Sequence, residues 1–164
     1  MNSVEIKAPT RLPDPFGSDV ELYNADVAIF LAGSIETGSA EKWQDQFVAR
    51  YPKGVLFFNP RRDDWDATWD HNSDQFNEQV NWELDMLDDS DIIAMYFDPN
   101  TKSPISLLEL GLHANEQKLI VCCPDGYWRQ GNVRVVCERY NIPFFTNKED
   151  WYAYIDKNLV PSYV

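Results

Sequence analysis

The sequence predicts an α/β protein: a doubly wound, parallel, five-stranded sheet with helices on both faces. Three observations predict it. Short continuous apolar runs, such as residues 92–97 and 119–123, recur along the chain, and strands of that kind are buried on both faces. Each run leads into a stretch whose apolar residues recur at helical spacing, the alternation of a parallel sheet covered by helices. Nothing in the chain is an internal repeat or a low-complexity segment.

The elements follow in order. Residues 1–24 contain Pro9, Pro13, Pro15 and Gly17 and read as an irregular N-terminal arm. Residues 25–164 read as a single domain. Its first strand is 27–31, followed by the loop Ala32-Gly33-Ser34-Ile35-Glu36-Thr37-Gly38. Ser39 can cap a helix through Tyr51 whose apolar side is Trp43, Phe47 and Val48. The second strand is 55–58, and a polar, aromatic loop runs from 59 to 73. A helix over 74–88 leads to the third strand, 92–97, and the turn Asp98-Pro99-Asn100. A third helix covers 104–117, and the fourth strand is 119–123. After a loop with Gly126 and Gly131 come a helix over 132–140, a short fifth strand, 143–145, and a last helix, 147–159. The pattern is flavodoxin-like, and in such sheets ligands bind beyond the carboxyl ends of the strands.

Composition narrows the function. A chain of 164 residues, 44% hydrophobic, makes one domain with a real core. The net charge of −13 repels phosphate backbones, so nucleic-acid polymers and anionic membranes are poor partners. A single nucleotide in a local pocket remains compatible with it. No apolar run approaches the ~18 residues of a membrane span, and residues 1–22 lack the apolar core of a secretory signal. Three cysteines, with Cys122 and Cys123 adjacent in a strand-like run, read as reduced, buried thiols of a cytoplasmic protein. His71 and His113 without a CxxC make a poor zinc set, and Asp66, Asp70 and Asp74 lack EF-hand order. No metal and no cofactor is expected.

Two carboxylates stand out. Glu109 lies in Ser103-Pro104-Ile105-Ser106-Leu107-Leu108-Glu109-Leu110-Gly111, at a strand-to-helix junction. Ser106-x-x-Glu109 matches a capping box. Alternatively Ser103 is the N-cap with Pro104 at the first helical position, which puts Glu109 in the second turn. Either way the helix N-terminus favours the ionised form, and an ionised carboxylate can attack a sugar carbon. Gly111 costs about 1 kcal/mol of helix propensity, which suggests close helix–sheet packing or a ligand near the backbone. In the preceding helix, Phe76, Val80, Leu84 and Leu87 form an apolar stripe, and Glu83 falls in the same sector. A Glu there must be paired or hydrogen-bonded, or serve function as a second carboxylate near Glu109.

The loops supply binding candidates. Gly33 and Ser34 make a turn that could cradle a ligand, without the spacing of a dinucleotide or P-loop motif. In Asn59-Pro60-Arg61-Arg62-Asp63-Asp64-Trp65, Arg61 or Arg62 could meet an anion or pair with an Asp. Trp65 or Trp69 could stack on a base.

Four stretches in order carry a resemblance: Phe30-Leu31-Ala32-Gly33-Ser34, Asn59-Pro60-Arg61-Arg62, Gln79-Val80-Asn81-Trp82-Glu83 and Leu107-Leu108-Glu109-Leu110-Gly111. Together they resemble the nucleoside 2-deoxyribosyltransferase superfamily, which also holds nucleotide N-glycosidases, over residues 27–145. The resemblance implies a flavodoxin-like fold, no cofactor and an oligomer. It implies that Glu109 is the nucleophile and Glu83 the second acid, a Glu where the family usually has Asp. Gly33, Ser34, Asn59, Arg61, Arg62, Trp65, Ser103 and Ser106 are the substrate-binding residues expected. Ser103, six residues before Glu109, is similar to the Ser of nucleotide hydrolases that helps bind a 5′-phosphate. Nucleoside transferases often have an Asp there. Asn132 matches a residue lent to a neighbouring subunit's pocket. The implied activity is transfer of a deoxyribosyl group between nucleobases. One alternative is hydrolysis of nucleoside 5′-monophosphates. Another, from a different class, is a non-catalytic nucleotide-binding module.

Overall fold

The computed structural model describes residues 2–12, 24–35, 40–62 and 64–158. The helix cap expected at Ser39 and the end of the last helix at 159 lie outside them. Among the described residues six strands, all parallel, form one sheet in the order β1-β3-β2-β4-β5-β6. They are β1 (Val4–Lys7), β2 (Val27–Gly33), β3 (Val55–Asn59), β4 (Ile92–Tyr96), β5 (Leu119–Cys122) and β6 (Phe144–Phe145). The helices are α1 (Trp43–Arg50), α2 (Asp74–Asp89), α3 (Pro104–His113), α4 (Gln130–Tyr140) and α5 (Lys148–Asn158).

Five strands were expected, and the sixth lies in the segment expected to be an irregular arm. β1 pairs with β3, Val4 opposite Leu56 and Ile6 opposite Phe58. Ile6 is buried and Val4 packs on the same core cluster, while Glu5 and Lys7 alternate away from it. Charged alternate positions suit an edge strand, which must not recruit another chain. They also dilute the apolar run that betrays an interior strand.

Each face of the sheet has its own core. On one face Trp82, Met86 and Leu87 of α2, Leu110 of α3 and Val133 and Cys137 of α4 pack against Phe30, Phe58, Met95 and Val121. On the other, Trp43 and Phe47 of α1 meet Trp151 and Ile155 of α5 over Ile29, Phe57 and Ala94. Trp43, Phe47 and Trp151 are fully buried, with ring centroids 5.3–6.2 Å apart. Each such side chain contributes roughly 2–3 kcal/mol by burial alone. The three cysteines are free and buried, and burial pushes each thiol up to about 12. Among the described residues no helix is long and apolar enough to cross a membrane.

The strand order places a topological switch between β2 and β4. From β2 the chain moves outward one way to β3, then crosses back to β4 on the other side. A crevice forms where connections diverge like this, at the carboxyl ends of the two strands.

Candidate active site

β2 ends on Gly33, whose φ is +125°, a conformation that L side chains rarely adopt. A Cβ there would lie 2.0 Å from the Tyr96 carbonyl oxygen of β4. The glycine therefore lets two strands close on each other at the switch point. The next residue, Ser34, donates its backbone N–H to that same carbonyl at 2.9 Å.

Ser34 also anchors a buried hydroxyl ring. Its Oγ lies 2.7 Å from Thr101 Oγ1 and 2.6 Å from Ser103 Oγ, and accepts the Asp98 N–H at 2.8 Å. Thr101 Oγ1 lies 2.8 Å from Ser103 Oγ and donates to the Asp98 carbonyl at 2.9 Å. The ring ties the ends of β2 and β4 to the start of α3. Ser103 is the N-cap of α3 in a left-handed conformation, φ 44°, with Pro104 beginning the helix. Of the two starts read from sequence, this is the Ser103–Pro104 one. Ser106 is the third helical residue and buried, so the Ser106–Glu109 capping box does not form.

Glu109 therefore sits in the second turn of α3, and its side chain is turned inward, 7% exposed. The helix N-terminus was expected to keep it ionised. Instead burial, and secondarily the charge of Glu83, raises its pKa from 4.5 to about 8. Glu83 comes from α2. Burial raises its pKa to about 7, opposed by a hydrogen bond from Gln79. Gln79 donates from Nε2 to Glu83 Oε1 at 2.7 Å and to the Pro60 carbonyl at 3.0 Å. The charge of Glu83 is thus felt at Glu109, and burial raises the pKa of both carboxyls.

The expected apolar stripe of α2 is displaced around the helix. Its buried residues are Gln79, Trp82, Met86 and Leu87, whereas Leu84 is 41% exposed. Glu83 falls between the two sectors and faces inward on either reading. A Cβ added at Gly111 would meet no heavy atom within 4 Å, and the residue lies exposed. It serves no helix–sheet contact.

The loop residues are largely occupied with one another. Buried Asn59 donates from Nδ2 to Glu5 Oε1 at 2.7 Å and accepts the Arg61 N–H at 3.0 Å. Arg61 donates to the Glu41 carbonyl at 3.2 Å. Arg62 makes the Arg–Asp pair, Nε and Nη2 to the two oxygens of Asp64 at 2.9 and 2.8 Å, and lies over the Trp69 ring. Trp65 packs against Trp69 and Phe76. Trp82 is interior, its indole donating to the Thr10 carbonyl at 2.7 Å.

Asn132 is not drawn to the carboxyl pair. It lines a groove of about 300 Å³ between α3 and α4 with Leu107, Leu110, Gly111, Trp128 and Val136. Elsewhere, Asp88, His113 and Glu116 bring ligand atoms within 4.8 Å of one another. There His113 Nδ1 lies 2.9 Å from Glu116, and the Lys118 ammonium, 3.1 Å from the same oxygen, already supplies positive charge.

Sequence reasoning missed Gln79, Asp98 and Thr101 as site residues. For Gln79 a signal existed: it precedes Glu83 by one helical turn, a spacing at which side chains meet. The hydroxyl ring joins residues 67 and 69 apart, which no local pattern records.

Fold and candidate site together describe an α/β protein with a parallel sheet and two desolvated carboxyls on helices α2 and α3. Its sequence matches the family described as nucleoside 2-deoxyribosyltransferase like over residues 26–127. The chain belongs to that family. Its fold is similar to that of a conserved protein from Enterococcus faecalis V583, known from a crystal structure. The two share a TM-score of 0.60 and 14% identity, over 81% of this chain and 99% of that one. No curated protein matches the chain.

Proposed function

We propose that the protein cleaves the N-glycosidic bond of (2′-deoxy)ribonucleosides and transfers the sugar to a second nucleobase through a glycosyl ester on Glu109. The observation that carries this reading is the pair Glu109 and Glu83, from two helices: both carboxyls are desolvated, and the charge of Glu83 is felt at Glu109. Family membership supports the reaction class.

In the first displacement a Glu109 oxygen bonds to C1′ as the C1′–N bond breaks. The electron pair leaves with the base, which takes the proton of Glu83. In the second, a nitrogen of the incoming base attacks C1′, the ester bond breaks, and its proton returns to Glu83. Two displacements give net retention. Water in place of the second base gives hydrolysis.

The raised pKa values suit this cycle, because the pair must hold one proton between them. In the ligand-free site the higher value belongs to Glu109. Positive charge developing on the sugar beside Glu109 favours its ionised form and leaves the proton on Glu83.

Among the proposed binding residues, Gly33, Ser34, Ser103 and Ser106 belong to the end of β2 and the start of α3, the helix that carries Glu109. Asn59, Arg61, Arg62 and Trp65 belong to the end of β3 and the loop after it. The hydroxyl ring gives the protons of Ser34, Thr101 and Ser103 acceptors inside the ring. A 5′-phosphate would need those donors for itself, so a free nucleoside is the better substrate.

The test is incubation with deoxyinosine and adenine, followed by chromatography. Deoxyadenosine and hypoxanthine are expected. Glu109→Ala should lower turnover by more than about 1000-fold with an unchanged circular dichroism spectrum. Release of free base without exchange would assign hydrolysis, and preference for 5′-monophosphates would assign the nucleotide branch. Neither exchange nor free base from any of these substrates would sink the reading. Binding without turnover, read by thermal shift, would then indicate a binding module.

A further inference from the structure

We propose that Gln79 is a positioning residue, which holds one oxygen of Glu83 so that the carboxyl stays aimed at its partner Glu109. The inference rests on the reaction proposed above for its catalytic consequence, though not for its geometry.

Gln79 is 3% exposed, and its amide is pinned from two sides. Its Nε2 reaches the Pro60 carbonyl at 3.0 Å and Glu83 Oε1 at 2.7 Å. A main-chain carbonyl only accepts hydrogen bonds. The Pro60 contact therefore fixes which end of the amide is nitrogen, and the second N–H is left for Glu83. Pro60 follows β3 and Glu83 lies on α2, so the amide couples a strand end to the acid one turn further along the helix.

The remaining atom argues for function over packing. Gln79 Oε1 is buried and has no hydrogen-bond donor among the described residues. A buried acceptor without a donor costs stability, and an apolar side chain of similar length would avoid the cost. α2 keeps a polar residue in its core face, among Trp82, Met86 and Leu87. What the amide gains there is the hold on Glu83. That bond favours the charged form of Glu83 against its burial. The charge of Glu83 is in turn felt by Glu109 of α3.

The test replaces the amide by Gln79→Met, which fills the space without donors. A second variant, Gln79→Asn, keeps an amide too short to span Pro60 and Glu83. The first readout is the carboxyl carbon NMR titration of Glu83, assigned by comparison with Glu83→Gln. Both Gln79 variants should move its midpoint to higher pH, while the melting temperature of Gln79→Met is unchanged or raised. With deoxyinosine and adenine, kcat should fall about 10- to 100-fold while KM changes less than about threefold. An unmoved Glu83 midpoint in both variants overturns the proposal. So does a fall in stability that accounts for the lost turnover. If the midpoint moves but the unmodified protein shows no base exchange or release, the positioning role stands and the reaction reading fails.

Discussion

As the sixth residue of α3, Glu109 feels two opposed effects. The helix N-terminus stabilises its charge by about 0.3–1 kcal/mol. Burial and the neighbouring Glu83 raise its pKa from 4.5 to about 8, and each tenfold change in proton affinity corresponds to about 1.4 kcal/mol. Burial wins. The consequence for stability has a definite sign. A carboxyl whose folded pKa is raised binds its proton more tightly in the native state. Its contribution is fully present below about pH 4.5 and is lost as pH rises through about 8. Glu109→Gln keeps the shape and removes the titration. At pH 4.5 the variant and the unmodified protein should melt together. By pH 8.5 the variant should melt several degrees higher. Parallel thermal melts across that range check it. A difference constant with pH would mean that Glu109 is not desolvated in the folded protein.

Two glycines show how the elements constrain substitution. Gly33→Ala would put a methyl group 2.0 Å from the Tyr96 carbonyl, at φ +125°. Since β2 and β4 cannot separate without opening the sheet, the substitution should cost more than about 3 kcal/mol, read as a lowered urea midpoint or loss of soluble protein. Gly111→Ala meets nothing within 4 Å and should stabilise α3 by about 0.5–1 kcal/mol. Only the first of these glycines announces itself by its place in the sequence, at the end of a strand. Legibility differed among elements for similar physical reasons. The interior strands β2 to β5 are continuous apolar runs because both faces are covered. β1 escaped because it has one core face and lies at the edge, where Glu5 and Lys7 interrupt the run. The face of α2 was misplaced because polar Gln79 is buried and apolar Leu84 is exposed. Glu83 survived that error by its position between the two sectors. The start of α3 was ambiguous because Ser103 and Ser106 are both capping residues by type, and the left-handed turn at Ser103 decided it. Glu83 was therefore legible from periodicity and Glu109 from its strand-to-helix junction, while Gln79 and the hydroxyl ring depend on contacts that only the folded chain creates.

At the scale of the molecule, the unequal distribution of charge and apolar surface directs a last prediction. The chain carries a net charge of −13, yet one face of α3 presents Ile105, Leu108 and Leu112 at 57, 58 and 54% exposure. Val135 of α4 is also exposed, and exposed Trp128 lines the groove between α3 and α4. Residues spaced by three and four on one helix form a continuous stripe, and an apolar patch of this kind on an acidic protein marks an interaction surface. A second copy of the chain is the proposed partner, because exposed Trp128 and Asn132 line one groove between α3 and α4. In this arrangement Asn132 is supplied to a neighbour. Sedimentation velocity at micromolar concentration should then give a mass above the 19.1 kDa monomer. Leu108→Lys combined with Val135→Lys places like charges on the exposed apolar positions of α3 and α4 and should give the monomer with its fold retained. Base exchange should fall with the loss of assembly, and Asn132→Ala should lower exchange while leaving the mass unchanged. A protein that is monomeric before any substitution, and turns over in that state, would show that the site is complete within one chain.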